Sequence, residues 1–132
     1  MVRLVTRDDG RMLSLPGRRS REIVSGLTGA KAATVRLVEI APPTAGDKVR
    51  GPHVHHGFEV CIYVISGNGM TETEDGDLPV GPGDCVIVSS GELHVTRNTG
   101  GAPLVLLCFF PEAEIGPLTR EYATWDEAKA AR

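Results

Sequence analysis

Cysteine is sparse in this sequence, and the three present, Cys61, Cys85 and Cys108, form no CxxC pair. An odd count at such spacing argues against a disulfide framework. Each lies inside an apolar run (VCIYV, DCVIV, LLCFF), so reduced, buried thiols are expected. Long hydrophobic stretches are also missing: nothing approaches the ~18 apolar residues of a membrane span. Six of the 14 basic residues fall in the first 21 (Arg3, Arg7, Arg11, Arg18, Arg19, Arg21). No apolar run follows them, so a secretory signal is not expected and the cytoplasm is the expected address. We read these arginines as a solvated basic strand edge. A surplus of positive charge is lacking as well: 14 Lys+Arg stand against 17 Asp+Glu, the formal net charge is -3 and the pI about 5.8. Without a basic field, nucleic acid is not an expected partner.

What is plentiful is chain-turning residues. Gly 16 and Pro 9 in 132 residues suit many short strands better than a helix bundle. Hydrophobic content of 41% and charged content of 23% are globular values. The length fits one domain with a real core. Candidate strands are Arg21–Val24, Thr34–Ile40, Glu59–Ile65, Met70–Glu74, Leu78–Val80, Cys85–Val88 and Leu104–Phe110. Asp75-Gly76-Asp77 marks a hairpin turn between two of them. We find no repeat and no second composition, hence a single domain over 1–132. Its strand-rich core covers about 20–111, and 112–132 form a C-terminal extension. There, Thr124 followed three residues on by Glu127 has the capping-box pattern, which predicts a short helix anchored by Trp125.

All four histidines fall in two short segments, His53-Val54-His55-His56 and the lone His94. In a strand, His53 and His55 point to one face and His56 to the other. Glu59 shares the parity of the first two, with Gly57 available to absorb a bend. Two imidazoles and a carboxylate on one face are three ligands for a transition metal, and His94 can complete the set from a neighbouring strand.

Two ordered motifs then resemble those of the cupin superfamily, in particular small single-domain bacterial cupins. Gly51-Pro52-His53-Val54-His55, then Glu59, then Gly67 resembles the first motif, with one residue more between Glu59 and Gly67 than the pattern has, as a bulge would give. Gly83, Gly91, His94 and Asn98 fall on the fixed positions of the second, where Ser89 stands in place of a proline. The resemblance implies an all-β fold, a double-stranded β-helix (a jelly-roll barrel) carrying the short C-terminal helix. It implies that His53, His55, Glu59 and His94 bind one divalent transition metal ion, which can be Fe, Mn, Ni, Co, Cu or Zn. It also implies a homodimer. His56 lies outside the ligand pattern and is expected at the rim.

Parity counted from Glu59 turns Cys61, Tyr63 and Ile65 inward and Val60, Ile62 and Val64 outward. Tyr63 is thus a candidate acid/base group, and Cys61 a buried filler. The outward set needs cover, either from N-terminal strands or from a second subunit. Thr96 and Asn98 share the face of His94, with Asn98 structural. Arg36 and Glu39 have opposite parities, so at most one looks inward. Three functions follow. One is a metal-dependent enzyme on a small organic metabolite, of dioxygenase, isomerase or lyase type. Another is a non-catalytic module that binds or senses a small molecule. The third is a metal-free sugar-epimerase-like isomerase using His and Tyr for proton transfer.

Overall fold

The computed structural model describes Met1–Arg132 as two antiparallel sheets that face each other. The first holds β1 (Arg11–Leu15), β2 (Arg18–Val24), β3 (Thr34–Ile40), β5 (Val60–Ser66), β8 (Cys85–Val88) and β10 (Leu104–Phe110), in the order β1-β2-β3-β10-β5-β8. The second holds β4 (His53–His55), β6 (Gly69–Thr73), β7 (Gly76–Val80), β9 (His94–Asn98) and β11 (Thr119–Glu121), in the order β11-β4-β9-β6-β7. Consecutive strands often sit in opposite sheets, as the jelly roll requires. The turn at Asp75 joins β6 to β7, pairing Thr73 with Gly76. The early strand runs from Arg18, longer than the sequence pattern marks.

The six-stranded sheet supplies the apolar wall. Val38, Ile40, Val60, Ile62, Val64, Val88, Leu104, Leu106, Cys108 and Phe110 are buried in one cluster, all at even positions. Val60 faces Val88 across the β5–β8 pair, and Leu106 faces Val64 across β10–β5. This settles the parity of β5 opposite to that expected. Val60 is 1% exposed, whereas Tyr63 is 45% exposed on the outer face with Ile65, and Cys61 is half-buried. The reason lies at Gly57, whose φ of 93° turns the chain between β4 and β5. Alternation therefore does not carry from His55 across it. The apolar partners on β8 and β10 decide which side of β5 goes in.

The outer surfaces differ between the two sheets. Helix α1 (Trp125–Ala130) covers the five-stranded sheet, packing Ala128 with Val54 and Leu93, with Tyr122 and Trp125 against them. Thr124 caps it, its Oγ1 accepting from the Glu127 N–H at 3.1 Å. The Glu127 carboxylate accepts from the Ala123 N–H instead of that of Thr124. Gly51 lets this segment pass close by, since a Cβ there would lie 2.1 Å from the Tyr122 carbonyl oxygen. The outer face of the six-stranded sheet leaves Tyr63, Ile65, Ile87 and Phe109 exposed. No helix is long and apolar enough to cross a membrane.

Candidate metal centre

The inner face of the five-stranded sheet is polar where its partner is apolar. In β4, His53 and His55 alternate around Val54, which is tied down under α1. His53 stands directly opposite His94 of β9. The ring centroids of His53 and His94 are 4.1 Å apart, those of His53 and His55 4.9 Å, and those of His55 and His94 5.5 Å. One ligand nitrogen from each of the three lies within 4.8 Å of the others. Nitrogens held at about 2.1 Å on one ion at octahedral or tetrahedral angles lie about 3.0–3.4 Å apart, so the three rings would draw together on binding.

Hydrogen bonds orient two of these rings. His94 Nδ1 lies 3.0 Å from the Glu92 carbonyl, which can only accept, so Nδ1 carries the proton and Nε2 the lone pair. His55 Nδ1 lies 2.8 Å from Thr119 Oγ1. That hydroxyl already donates to the Ile115 carbonyl at 2.7 Å, so it accepts from His55 and again leaves Nε2 unprotonated. His53 differs: Arg50 Nη2, which can only donate, lies 3.2 Å from its Nδ1. Phe58 stacks on the His55 ring and Phe110 meets it edge-on.

All three imidazoles are neutral at neutral pH. Burial, then neighbouring His94 and Arg36, bring His55 down to about 3. Burial brings His94 to about 4, against the Glu92 hydrogen bond that favours its charged form. Burial and the nearby His94 and Arg50 hold His53 well below the ordinary imidazole range. Neutral rings are the protonation state in which histidines ligate a divalent transition metal, and His55 and His94 keep an unprotonated Nε2 for it.

Glu59 does not join them. It is exposed, precedes inward-facing Val60 and lies outside the cluster of three histidines. The position that turns inward at the start of β5 is the aliphatic Val60, so the group that could hold a metal ion here consists of the three histidines. Tyr63 is likewise away from the site, on the outer face of β5. His56 is exposed, as its parity predicts. Asn98 is structural: its Nδ2 donates to the Ile40 and Ala102 carbonyls and its Oδ1 accepts from Gly100 N–H.

Beside the histidines lies a cavity of about 60 Å³, and its lining brings in Ser20 and Arg50, which the sequence reading did not single out, together with Arg18, Arg36, Thr96 and Cys108. Of Arg36 and Glu39, Arg36 is the one that looks inward. It makes a two-nitrogen contact to buried Glu22, directly across the β2–β3 pair, at 3.0 and 2.8 Å. Arg18 and Arg50 share Glu121, at 3.0 and 3.4 Å. Burial, then the charge of Arg18, lowers Arg50 to about 10, still protonated at neutral pH. Burial lifts the Cys108 thiol to about 12, so it is no thiolate ligand. Arg18 is thus not part of a solvated edge. The signal in the sequence was the alternation Arg18, Ser20, Glu22, which places polar groups on the inward parity of β2.

The comparisons with known proteins agree with this architecture. The profile of the cupin domain matches residues 37–110, and the chain belongs to that family. It is 35% identical over 57 residues to the oxalate-binding protein of Thermotoga maritima, a match over 43% of this chain and 47% of that one, about half its length. Its fold is similar to that of the polyketide cyclase RemF from Streptomyces resistomycificus, with TM-score 0.72 and 24% identity over 99% of this chain and 93% of the other. It is also similar to Bacillus subtilis oxalate decarboxylase, a protein with Mn(II) centres, with TM-score 0.71 and 20% identity over 87% of this chain and 30% of that one.

Proposed function

We propose that this chain is a metal-dependent cupin that binds one divalent transition metal through His53, His55 and His94 and acts there on a small organic acid. The observation that carries the reading is the paired tautomer control. Two rings donate through Nδ1 to fixed acceptors, and the Nε2 of His94 is buried with no partner within the chain. Leaving such an atom unsatisfied costs about 1–3 kcal/mol, which a bound cation would recover. When bound, the ion would polarise a carbonyl or carboxylate oxygen, the chemistry of a dioxygenase, isomerase or lyase. The oxalate-binding and oxalate-decarboxylating relatives support a small carboxylate as the ligand class.

A second reading, binding without turnover, is favoured by one feature. The cavity lining contains no Asp, Glu, Lys or Tyr to move a proton. The metal-free isomerase loses its support, because Tyr63 stands outside. The homodimer reading now attaches to the exposed face bearing Tyr63, Ile65, Ile87 and Phe109, in place of Val60, Ile62 and Val64.

Elemental analysis of tag-free protein, repeated after anaerobic reconstitution, tests the metal reading. Near one equivalent of Fe, Mn, Ni, Co, Cu or Zn per chain is expected. A chain that stays empty in both preparations refutes it. A screen of small carboxylates with the loaded protein then separates the readings: chelator-sensitive turnover supports the enzyme, and ligand-induced stabilisation without turnover supports the binding module.

A further inference from the structure

Three side-chain polar atoms of this protein are buried without a hydrogen-bond partner within the chain: Ser20 Oγ, Arg50 Nε and His94 Nε2. They come from three different strands or loops, yet Ser20, Arg50 and His94 all line the one cavity of about 60 Å³. Native interiors hold few such atoms, and their convergence on one small space marks a place built for a polar ligand. His94 Nε2 is accounted for by the metal reading. Ser20 and Arg50 are not.

We propose that Ser20 and Arg50 form an anion subsite beside the three histidines, and that the anion supplies the negative charge that the ligand set lacks, so that metal and a small carboxylate each tighten the binding of the other. The inference rests on the metal reading above and adds to it which residues hold the ligand and how its binding is linked to the ion.

Charge is the first support. Three imidazoles are neutral donors, and the inward position at the start of β5 is Val60, with Glu59 turned out. The cavity lining holds Arg18, Arg36 and Arg50 and no Asp or Glu. The nearby carboxylates do not balance them, because Arg11 and Arg36 share Glu22 while Arg18 and Arg50 share Glu121. Four guanidinium groups against two carboxylates leave an excess of positive charge before any metal arrives. A divalent ion adds to that excess unless an anion accompanies it.

Donor chemistry is the second. Arg50 Nε can only donate, and a serine hydroxyl can donate, so together they suit a ligand with two acceptor oxygens. The cavity is a few water volumes in size, which limits the ligand to a carboxylate of few heavy atoms. Arg50 is also held in place from behind. Its carbonyl accepts from Arg97 Nη2 at 2.7 Å, Arg97 pairs with Glu72, and Glu72 accepts from the Trp125 indole at 2.9 Å.

A tautomer links the two sites. In this structure Arg50 Nη2 donates to His53 Nδ1. A His53 that ligates through Nε2 carries its proton on Nδ1, where it opposes another donor. Metal binding in that mode breaks the Arg50 contact and releases a second guanidinium donor for the anion. By linkage the anion must favour metal binding by the same factor.

The test is calorimetric titration of the full chain with Co²⁺, in chloride buffer alone, with added formate, and with formamide as a neutral control of similar size. Formate is expected to tighten Co²⁺ binding by roughly tenfold or more, within the range of such couplings, and formamide to leave it as in chloride. In Ser20→Ala the enhancement is expected to fall below about threefold, and in Tyr63→Phe, on the outer face, to persist in full. Arg50→Lys, which keeps the charge and loses the Nε donor, is expected to behave as Ser20→Ala does. Co²⁺ binding that is equally tight with and without formate, or full enhancement in Ser20→Ala, overturns the subsite and leaves the metal reading standing. No Co²⁺ binding under any condition overturns both.

Discussion

Replacing His94 by alanine separates a metal ligand from a core residue, because the two roles predict opposite responses to added metal. His94 is 1% exposed, so some loss of stability is expected in either case. Without metal, the ring contributes one hydrogen bond, from Nδ1–H to the Glu92 carbonyl at 3.0 Å, worth about 1 kcal/mol. Truncation also removes ring contacts and leaves a hole, at about 24 cal/mol per Å³ of new cavity. Acting the other way, it deletes the unpartnered Nε2, whose burial costs the wild-type protein about 1–3 kcal/mol. These opposed contributions leave a net loss of about 1–2 kcal/mol, and the variant stays folded. With metal at one hundred times its Kd the wild type gains about 2.7 kcal/mol, while a variant with two histidines gains little. The stability gap between the two proteins therefore widens to about 4 kcal/mol on adding metal. Urea unfolding with and without metal, followed by the fluorescence of Trp125, reads both gaps. An equal gap in both conditions refutes His94 as a ligand. An unfolded variant in the absence of metal shows that its ring is a packing element of the core.

Three further predictions concern the surroundings of the centre. Stability of the metal-free protein falls as pH drops from 7 towards 4: the folded pKa of His94 is about 4 and that of His55 about 3, against about 6.5 in the unfolded chain, so the unfolded state takes up protons first. His94 alone accounts for about 3 kcal/mol over that window, and equilibrium unfolding that showed rising stability on acidification would contradict the neutral, buried rings. Glu22→Gln is expected to cost about 2–4 kcal/mol, measured by urea unfolding, because Arg36 loses its charged partner inside the barrel. The Arg11 side of the same carboxylate is half-exposed and adds little, so a loss below about 0.5 kcal/mol would show the Arg36 pair to be dispensable. Glu59→Gln is expected to leave metal stoichiometry and affinity unchanged, as read by titration with Co²⁺, and a clear loss of affinity would restore Glu59 as a ligand.

Several features of the protein were set locally and were legible in the sequence. Alternation puts His53 and His55 on one face whatever else surrounds them, and the glycine pattern around Gly83, Gly91, His94 and Asn98 carries the strand and turn that return His94 to the same place. Short apolar runs between glycines and prolines imply strands, and Thr124 with Glu127 implies the start of a helix. Each of these depends on a residue and its neighbours within a few positions. The facing of β5 does not. Val60-Cys61-Ile62-Tyr63-Val64 is apolar on both parities, so hydrophobic patterning offers no choice between them, and a positive-φ glycine at 57 breaks the count from the histidines. The apolar surfaces of β8 and β10 make the choice. They bury Val60, Ile62 and Val64, and they turn Glu59 and Tyr63 out of the site for which parity had selected them. The arginines were undetermined for the same kind of reason. Arg18, Arg36 and Arg50 are far apart along the chain, and only the closing of one sheet over the other sets them around a single cavity with His53 and His94. Which residues can hold a metal was therefore largely a matter of sequence, while the charge that surrounds it was decided by tertiary packing.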